Sequence, residues 1–306
     1  MQRREFIERS IAGTVATCGW NLSTKYVHGR DPIQRSGPPR FEFGLAAYSL
    51  RQYFSYKKGV AQQPAKDGPA MDMIGFLDYC VSNNFDAAEL TSYFFPPDAD
   101  RDYFLRLKHA AYIRGVAISG TAIGNNFTVG SGPKLDAEIT EAKQWIDRAS
   151  LLGAPHIRFF AGTSRQLDGN PKRLDEAIDA LSQCVKHAAQ RGIMIGVENH
   201  GNLTPTQMLE IMRRIDSPWI GINLDTGNFH SNSPYKDLEE CIEYAVNIQV
   251  KVNMKTPEGK KYPADMERIG KILKNGNYQG YVILEYEEES PYQQIPRAFA
   301  ELKRVL

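Results

Sequence analysis

From Phe41 onward, short apolar runs alternate with longer segments in which apolar positions recur every three or four residues. The short runs read as buried parallel strands and the longer ones as amphipathic helices. The strand-like runs are Phe43–Tyr48, Ala87–Leu90, Val116–Ser119, His156–Phe160, Ile193–Val197, Ile220–Leu224, Ile248–Val252 and Tyr281–Leu284. The pattern predicts helices over Met71–Ser82, Asp102–Arg114, Leu135–Leu152, Pro171–Arg191, Thr206–Ile215, Leu238–Val246, Ala264–Asn275 and Tyr292–Val305. Gly115, Gly153 and Gly192 follow three of these segments and read as left-handed helix caps, with Asn84 in a similar part. Eight strand–helix units in about 265 residues are the count and length of a closed (β/α)8 TIM barrel in a single domain. A doubly wound open sheet would carry a G-x-G-x-x-G turn after its first strand, and none stands there. Residues 52–69 form a long insertion after the first strand, and in a barrel such loops lie at the active-site face.

Charge narrows the function. The chain carries 37 basic and 36 acidic residues, a net charge of +1, and no long Lys/Arg run, which argues against nucleic-acid binding. Cys18, Cys80, Cys184 and Cys241 are too far apart for a CxxC knuckle and read as small buried hydrophobes. The N-terminus is less plain. Arg3-Arg4-Glu5-Phe6-Ile7, followed by the apolar stretch 11–18, resembles a twin-arginine export signal and implies a periplasmic or otherwise exported protein. Residues 21–40 are polar and rich in Gly and Pro, a linker. The chain thus divides into a leader and linker over 1–40 and a barrel over 41–306. No other run approaches the ~20 apolar residues of a membrane span.

In a parallel barrel the functional groups come from the C-terminal ends of different strands. Strand five ends in Glu198-Asn199-His200, strand six in Asp225-Thr226-Gly227-Asn228, and strand eight in Glu285-Tyr286-Glu287; strand seven carries Gln249 and Lys251. Three carboxylates converging on one mouth would repel each other, and a divalent cation would relieve that repulsion. Oxygen donors suit Mn2+ or Mg2+. Such an ion orients the oxygens of a sugar and polarises a carbonyl, so that a carboxylate or lysine removes the neighbouring proton. Each residue has a plainer alternative. Glu198 would cap a helix, Asp225 would form an Asx turn, and Glu285 would join Glu287, Glu288 and Glu289 in an acidic surface patch. Their places at strand ends favour function. Lysine between Val250 and Val252 calls for a partner or a task, and His200 is expected to touch substrate. Glu89 ends strand two. His156 and Arg158 share one inward face of strand four, where Arg158 either binds a substrate carboxylate or pairs with Glu89 or Glu198. Tyr48, Tyr93, Phe94 and Phe95 offer aromatic faces for a sugar ring.

Taken in order on strands five to eight, this set resembles the xylose isomerase-like TIM-barrel superfamily. Within it the chain is similar to sugar phosphate isomerase/epimerase-type proteins that carry a twin-arginine leader. The resemblance spans residues 41–306. It implies one divalent ion held by Glu198, Asp225, Gln249 and Glu285, an acid/base pair of Glu198 and Glu285 with Lys251 beside it, and Glu89 as a substrate-side acid. His156, Arg158, His200 and Asn228 complete the expected substrate contacts. The sequence departs from the family at Gln249, where a His-x-Lys pattern is usual, and at Asn228, where sugar epimerases carry a histidine. The implied activity is metal-dependent isomerisation or epimerisation of a keto sugar or polyol. No Gly-rich phosphate loop follows strands seven and eight, so the expected substrate is not phosphorylated. The same first proton abstraction would serve a 3-keto-glycoside lyase or dehydratase. An AP-endonuclease-like activity needs many histidines, and only six are present. A non-catalytic sugar-binding barrel is favoured if metal analysis finds no ion and Gln249 cannot ligate. A homo-oligomer stays open.

Overall fold

Each apolar run of the repeating pattern becomes a strand of one closed sheet. The computed structural model describes residues 31–306. Strands β1 (Arg40–Ala46), β2 (Ala87–Thr91), β3 (Ala117–Ala122), β4 (His156–Phe159), β5 (Met194–Glu198), β6 (Ile220–Asp225), β7 (Ala245–Val250) and β8 (Gln279–Leu284) pair in parallel, each with the next and β8 with β1. Helices α1 (Met73–Ser82), α2 (Arg101–Ile113), α3 (Pro133–Leu152), α4 (Pro171–Arg191), α5 (Pro205–Arg214), α6 (Pro234–Cys241), α7 (Met266–Asn275) and α8 (Pro291–Val305) follow the strands in turn. This is the TIM barrel that the pattern predicts.

Local chemistry sets the helix ends. Pro171 opens α4 where no intrahelical donor is needed, and the Asn170 carbonyl side chain accepts the Arg173 amide at 3.1 Å. Gly192 closes the helix at φ 67°, a conformation that β-carbons disfavour. One stripe of α4, Ala177, Leu181, Cys184, Val185 and Ala188, is buried against the sheet. Each fully buried Leu or Val there contributes roughly 1.5–3 kcal/mol. Cys80, Cys184 and Cys241 are buried free thiols; Cys18 lies outside the described residues.

Strand β7 departs from the sequence reading. It begins at Ala245, inside the predicted helix Leu238–Val246, because α6 stops at Cys241 and a 3-10 turn spans Ile242–Tyr244. Asn247 interrupts the apolar run that would have marked the strand. The consequence is functional: Asn247 and Gln249 belong to the strand, and Lys251 falls just beyond its end. The described part of the stretch read as linker lies against the N-terminal end of the barrel. There Ile33 donates its amide to the Glu243 carbonyl at 3.0 Å, and the Gln279 side chain donates to the Ser36 and Pro38 carbonyls at 2.7 and 2.9 Å. The twin arginines Arg3 and Arg4 lie outside the described residues. Among the described helices, none is long and apolar enough to cross a membrane.

The insertion after β1 forms a hairpin of Tyr56–Lys57 and Val60–Ala61 at the C-terminal end of the barrel. The Lys58 amide donates to the Tyr93 carbonyl at 2.6 Å, and the Lys58 ammonium lies 4.7 Å from the Tyr93 ring centroid. A second hairpin, Asn253–Lys255 with Lys261–Pro263, follows β7.

His156 is the first residue of β4 and so sits at the end of the barrel opposite that face. It lines an opening there with Ser119, Met194 and Asn247, beside Pro32 and Ile33. The sequence expectation of a substrate contact through His156 is therefore corrected: strand alternation gives the face of a residue, not its height. Its ring fits between two glycines, and a methyl at Gly120 would lie 2.7 Å from its Nδ1. Neither ring nitrogen has a hydrogen-bond partner among the described residues. Burial, helped by the Arg158 charge, pushes its pKa down to about 3. The unfolded chain takes up this proton below about pH 6.5 and the folded chain does not, so this group costs stability as the pH falls through that window. Between pH 7 and pH 5 the wild-type protein is expected to lose about 2 kcal/mol more than His156→Gln. Urea unfolding at the two pH values measures this, and parallel losses would show that His156 is not the sensitive group.

Candidate active site

The alternation of β6 and β7 turns four side chains into the barrel. Asn223 and Asp225 share the inner face of β6, and Asn247 and Gln249 that of β7. Below the mouth Asn223, Asn247, Gln249 and Glu89 close a ring of hydrogen bonds. Asn223 Nδ2 donates to Gln249 Oε1 at 2.7 Å, and Gln249 Nε2 donates to Glu89 Oε1 at 3.0 Å. Asn247 Nδ2 donates to Asn223 Oδ1 at 2.7 Å and reaches Glu89 Oε2 at 3.4 Å. The sheet register shifts at Ala88/Glu89 and at Ile222/Asn223, where two members of the ring emerge; such bulges re-aim side chains next to functional sites. Burial, with the Glu285 charge nearby, pushes the Glu89 carboxyl up to about 8 despite Arg158.

Above the ring lie three buried carboxylates, each at a strand end. Glu198 closes β5, Asp225 closes β6, and Glu285 follows β8. Glu198 Oε2 lies 2.9 Å from Arg158 Nε, an ion pair whose N–H is not aimed along the contact. Arg158 Nη1 donates to the Ile123 carbonyl at 2.7 Å. Glu198 Oε1 accepts from Asn228 Nδ2 at 2.8 Å and faces His200 Nδ1 at 3.1 Å. Burial alone would raise the Glu198 carboxyl; Arg158 foremost, then His200 and Lys251, overrides it and holds the group at about 2. Asp225 and Glu285 share a different cation. Lys251 Nζ lies 3.2 Å from Asp225 Oδ2, 3.3 Å from Glu285 Oε2 and 3.2 Å from Glu287 Oε2. Burial and the neighbouring acids keep the Asp225 and Glu285 carboxyls above the usual carboxylate range, against the pull of Lys251. The same acids outweigh burial at Lys251 and keep it charged.

The rim is aromatic and partly open. His200 packs against Phe160 with ring centroids 4.4 Å apart and planes tilted by 33°, and its side chain is 52% exposed. The Arg158 guanidinium lies 4.1 Å from the Phe160 ring centroid and 5.9 Å from that of Tyr93. Tyr93 and Phe95 also line a cavity of about 400 Å³ beside the mouth, with Trp145 and Asn125. A small pocket of about 10 Å³, room for a single water, opens beside Lys251, Asn228 and Glu287.

The structure thus brings Glu198, Asp225, Glu285, Lys251, Arg158, Asn228 and His200 to one mouth, puts Glu89 and Gln249 in the ring beneath, and leaves His156 at the far end. Glu287, Asn223 and Asn247 were not singled out in the sequence. Glu287, which the sequence offers at the end of strand eight or in a surface patch, is partly exposed and contacts Lys251. The two asparagines carried one available signal, their i, i+2 spacing before Asp225 and Gln249 on paired strands.

The residues do not fit the divalent ion that the sequence implied. Gln249, expected as the third ligand, has both amide ends engaged in the ring. Glu198 is turned to Arg158, while Asp225 and Glu285 are turned to Lys251. Among the described residues, no group of three or more His, Cys, Asp and Glu side chains is arranged to hold a metal ion. Arg158 and Lys251 offset part of the carboxylate repulsion that called for a cation.

Known proteins share this architecture. A 126-residue stretch is 31% identical to an uncharacterized protein of Methanocaldococcus jannaschii and covers 39% of this chain but only 41% of that protein. Three solved structures superpose over most of the barrel. The D-psicose 3-epimerase of Clostridium cellulolyticum H10, determined with D-tagatose, has a TM-score of 0.67 at 13% identity, covering 87% of this chain and 99% of that one. The IOLI protein with a bound zinc atom has a TM-score of 0.67 at 16% identity, covering 86% and 96%. The 3-keto-D-glucoside 4-epimerase of E. coli has a TM-score of 0.60 at 16% identity, covering 87% and 100%. At such identities the likeness establishes the fold alone. The family assignment rests on the sequence itself: residues 77–305 match the family described as xylose isomerase-like TIM barrel, and the chain belongs to that family.

Proposed function

We propose that the protein is an isomerase or epimerase that moves a proton on a carbon next to a carbonyl, in a non-phosphorylated keto sugar or polyol. One observation carries this reading. Two carboxylates, Glu198 and Glu285, are buried at one barrel mouth, and each has its own buried cation. A carboxylate that removes a proton from carbon needs an electrophile to hold the charge that develops on the carbonyl oxygen. The Lys251 ammonium supplies it. Its N–H donors sit beside Glu285 and Asp225, where little water reaches and a charge–dipole contact is strong. Glu198, as the carboxylate, takes the proton on one side, Glu285, as the carboxylic acid, gives its own proton on the other, and exchange with solvent resets the pair. Asn228 and His200 orient Glu198 through its Oε1 and border the substrate. The exposed His200–Phe160 edge and Tyr93 give a sugar ring its apolar contact. The likeness to two sugar epimerases supports the reaction class, and the paired arginines of the leader support an exported, periplasmic enzyme.

Proton exchange with solvent is the test. Unphosphorylated ketoses and a 3-keto-glycoside are incubated with the protein in D2O and followed by NMR. The expected result is deuterium entering next to the carbonyl of one substrate as its isomer appears. Release of the glycosidic group would show a lyase that uses the same first step. Binding without any carbon-bound exchange would mark a sugar-binding barrel and end the enzymatic reading.

A further inference from the structure

We infer that the ammonium of Lys251 is the resident cation of this site and takes the place of a divalent metal ion. The inference rests on the proposed proton transfer for its catalytic meaning, and on geometry alone for its truth. Four oxygens surround one nitrogen: Lys251 Nζ has Asp225, Glu285 and Glu287 carboxylate oxygens within 3.3 Å and Asn228 Oδ1 at 3.5 Å. The side chain is 13% exposed.

The surroundings are built around the lysine stem. The Lys251 amide donates to Thr226 Oγ1 at 3.0 Å, which pins the backbone just past β7. Gly227 leaves the channel for the stem: a methyl there would lie 2.8 Å from Lys251 Cδ and 3.1 Å from its Cβ. Any larger residue would have to push the ammonium away from the acids.

The substitution at position 249 points the same way. An imidazole would present a lone pair to a metal. The Gln249 amide instead spends its oxygen on Asn223 and its nitrogen on Glu89. Its place is in the ring under the carboxylates, as a spacer that keeps them apart from Glu89. A divalent ion held by Asp225 and Glu285 would have to share those carboxylates with the ammonium. The repulsion between the two cations in so dry a site would have to be overcome before binding. For the reaction, this makes the electrophile a set of N–H donors rather than a Lewis acid. It would then select substrates with one accessible carbonyl oxygen over those that must chelate through two.

The test needs no substrate. Full-length protein purified without chelator is analysed for metals by mass spectrometry, and its melting temperature is followed with MnCl2, with MgCl2 and with EDTA. The wild-type protein is expected to carry well under one metal ion per chain and to keep the same melting temperature under all three. Lys251→Met leaves three acids without their partner, and Mn2+ is expected to raise its melting temperature by several degrees, on the order of the stabilisation a bound ligand gives at a hundredfold excess over its dissociation constant. Gln249→His in the Lys251→Met background should raise the metal content toward one ion per chain. A wild-type protein that holds a stoichiometric metal, or that loses stability in EDTA, overturns the inference. So does a folded Lys251→Met protein that ignores Mn2+. If the variants fail to fold, the wild-type measurements decide alone. Sugar turnover by a metal-bearing wild type would refute this inference and leave the proton-transfer reading in place; a metal-free protein without sugar chemistry would do the reverse.

Discussion

Replacing Arg158 by methionine is expected to destabilise the protein by about 3–5 kcal/mol at pH 7, the cost of stranding a buried charge. The side chains of Arg158 and Glu198 are 6% and 5% exposed, and the guanidinium is the leading influence that keeps Glu198 ionised against burial. Methionine fills much of the volume of the arginine stem, so the loss reports the charge more than a cavity. The sign with pH is defined. In the wild-type protein the folded value of Glu198, about 2, lies below its ordinary 4.5, so its contribution is present above pH 4.5 and is lost as the pH falls toward 2. Without Arg158 burial is opposed only by His200 and Lys251, and the carboxyl is expected to titrate higher than in the wild type. The variant therefore regains ground relative to the wild type as the pH falls and Glu198 binds a proton. Urea unfolding of wild type, Arg158→Met and Arg158→Met/Glu198→Gln gives the measurement. The double variant should recover most of the loss. A single-variant loss under about 1 kcal/mol, or no recovery in the double, would show that the pair does not hold the mouth together.

Glu198→Gln and Glu285→Gln should each lower kcat by about 10²–10⁴-fold on whichever substrate exchanges its carbon-bound proton, with KM changed only a few-fold. The amide keeps the shape and the hydrogen bonds to Asn228 or Lys251, but it cannot carry the proton. The two variants should also differ from each other. Glu198→Gln leaves Arg158 without its carboxylate and should lose stability as well as rate. Glu285→Gln leaves Lys251 with Asp225 and Glu287 and should stay close to wild-type stability. Melting curves separate a folding loss from a catalytic one. If both variants keep kcat within tenfold of wild type, these glutamates are not the acid/base pair.

Much of the barrel was legible in the chain because its signals are local. Strand runs bounded by glycine and proline, and helices such as α4 opened by Pro171 and closed by Gly192, need only a few neighbouring residues to form. The strand-end rule then singled out Glu198, Asp225 and Glu285. It failed in three ways, each for a reason. The start of β7 was hidden because Asn247 faces the barrel interior, where an apolar residue is the usual occupant. His156 was put on the correct inward face but at the wrong end, because alternation carries no information on height along the barrel axis. Gln249 was expected to join a ligand set, whereas its partner is Glu89, 160 residues away.

By itself the sequence determined the number of strand–helix units, the closed fold and the acids at the strand ends, since periodicities of two and 3.6 are written in neighbouring positions. Tertiary structure alone decided which charge meets which. Barrel closure brings β2 within hydrogen-bonding reach of β7, aims Arg158 at Glu198, and threads Lys251 past Gly227 into the acids of β6 and β8. Those contacts depend on strand register and on the inward height of each side chain. Both are set by how eight strands stagger around a ring, which no stretch of neighbouring residues encodes.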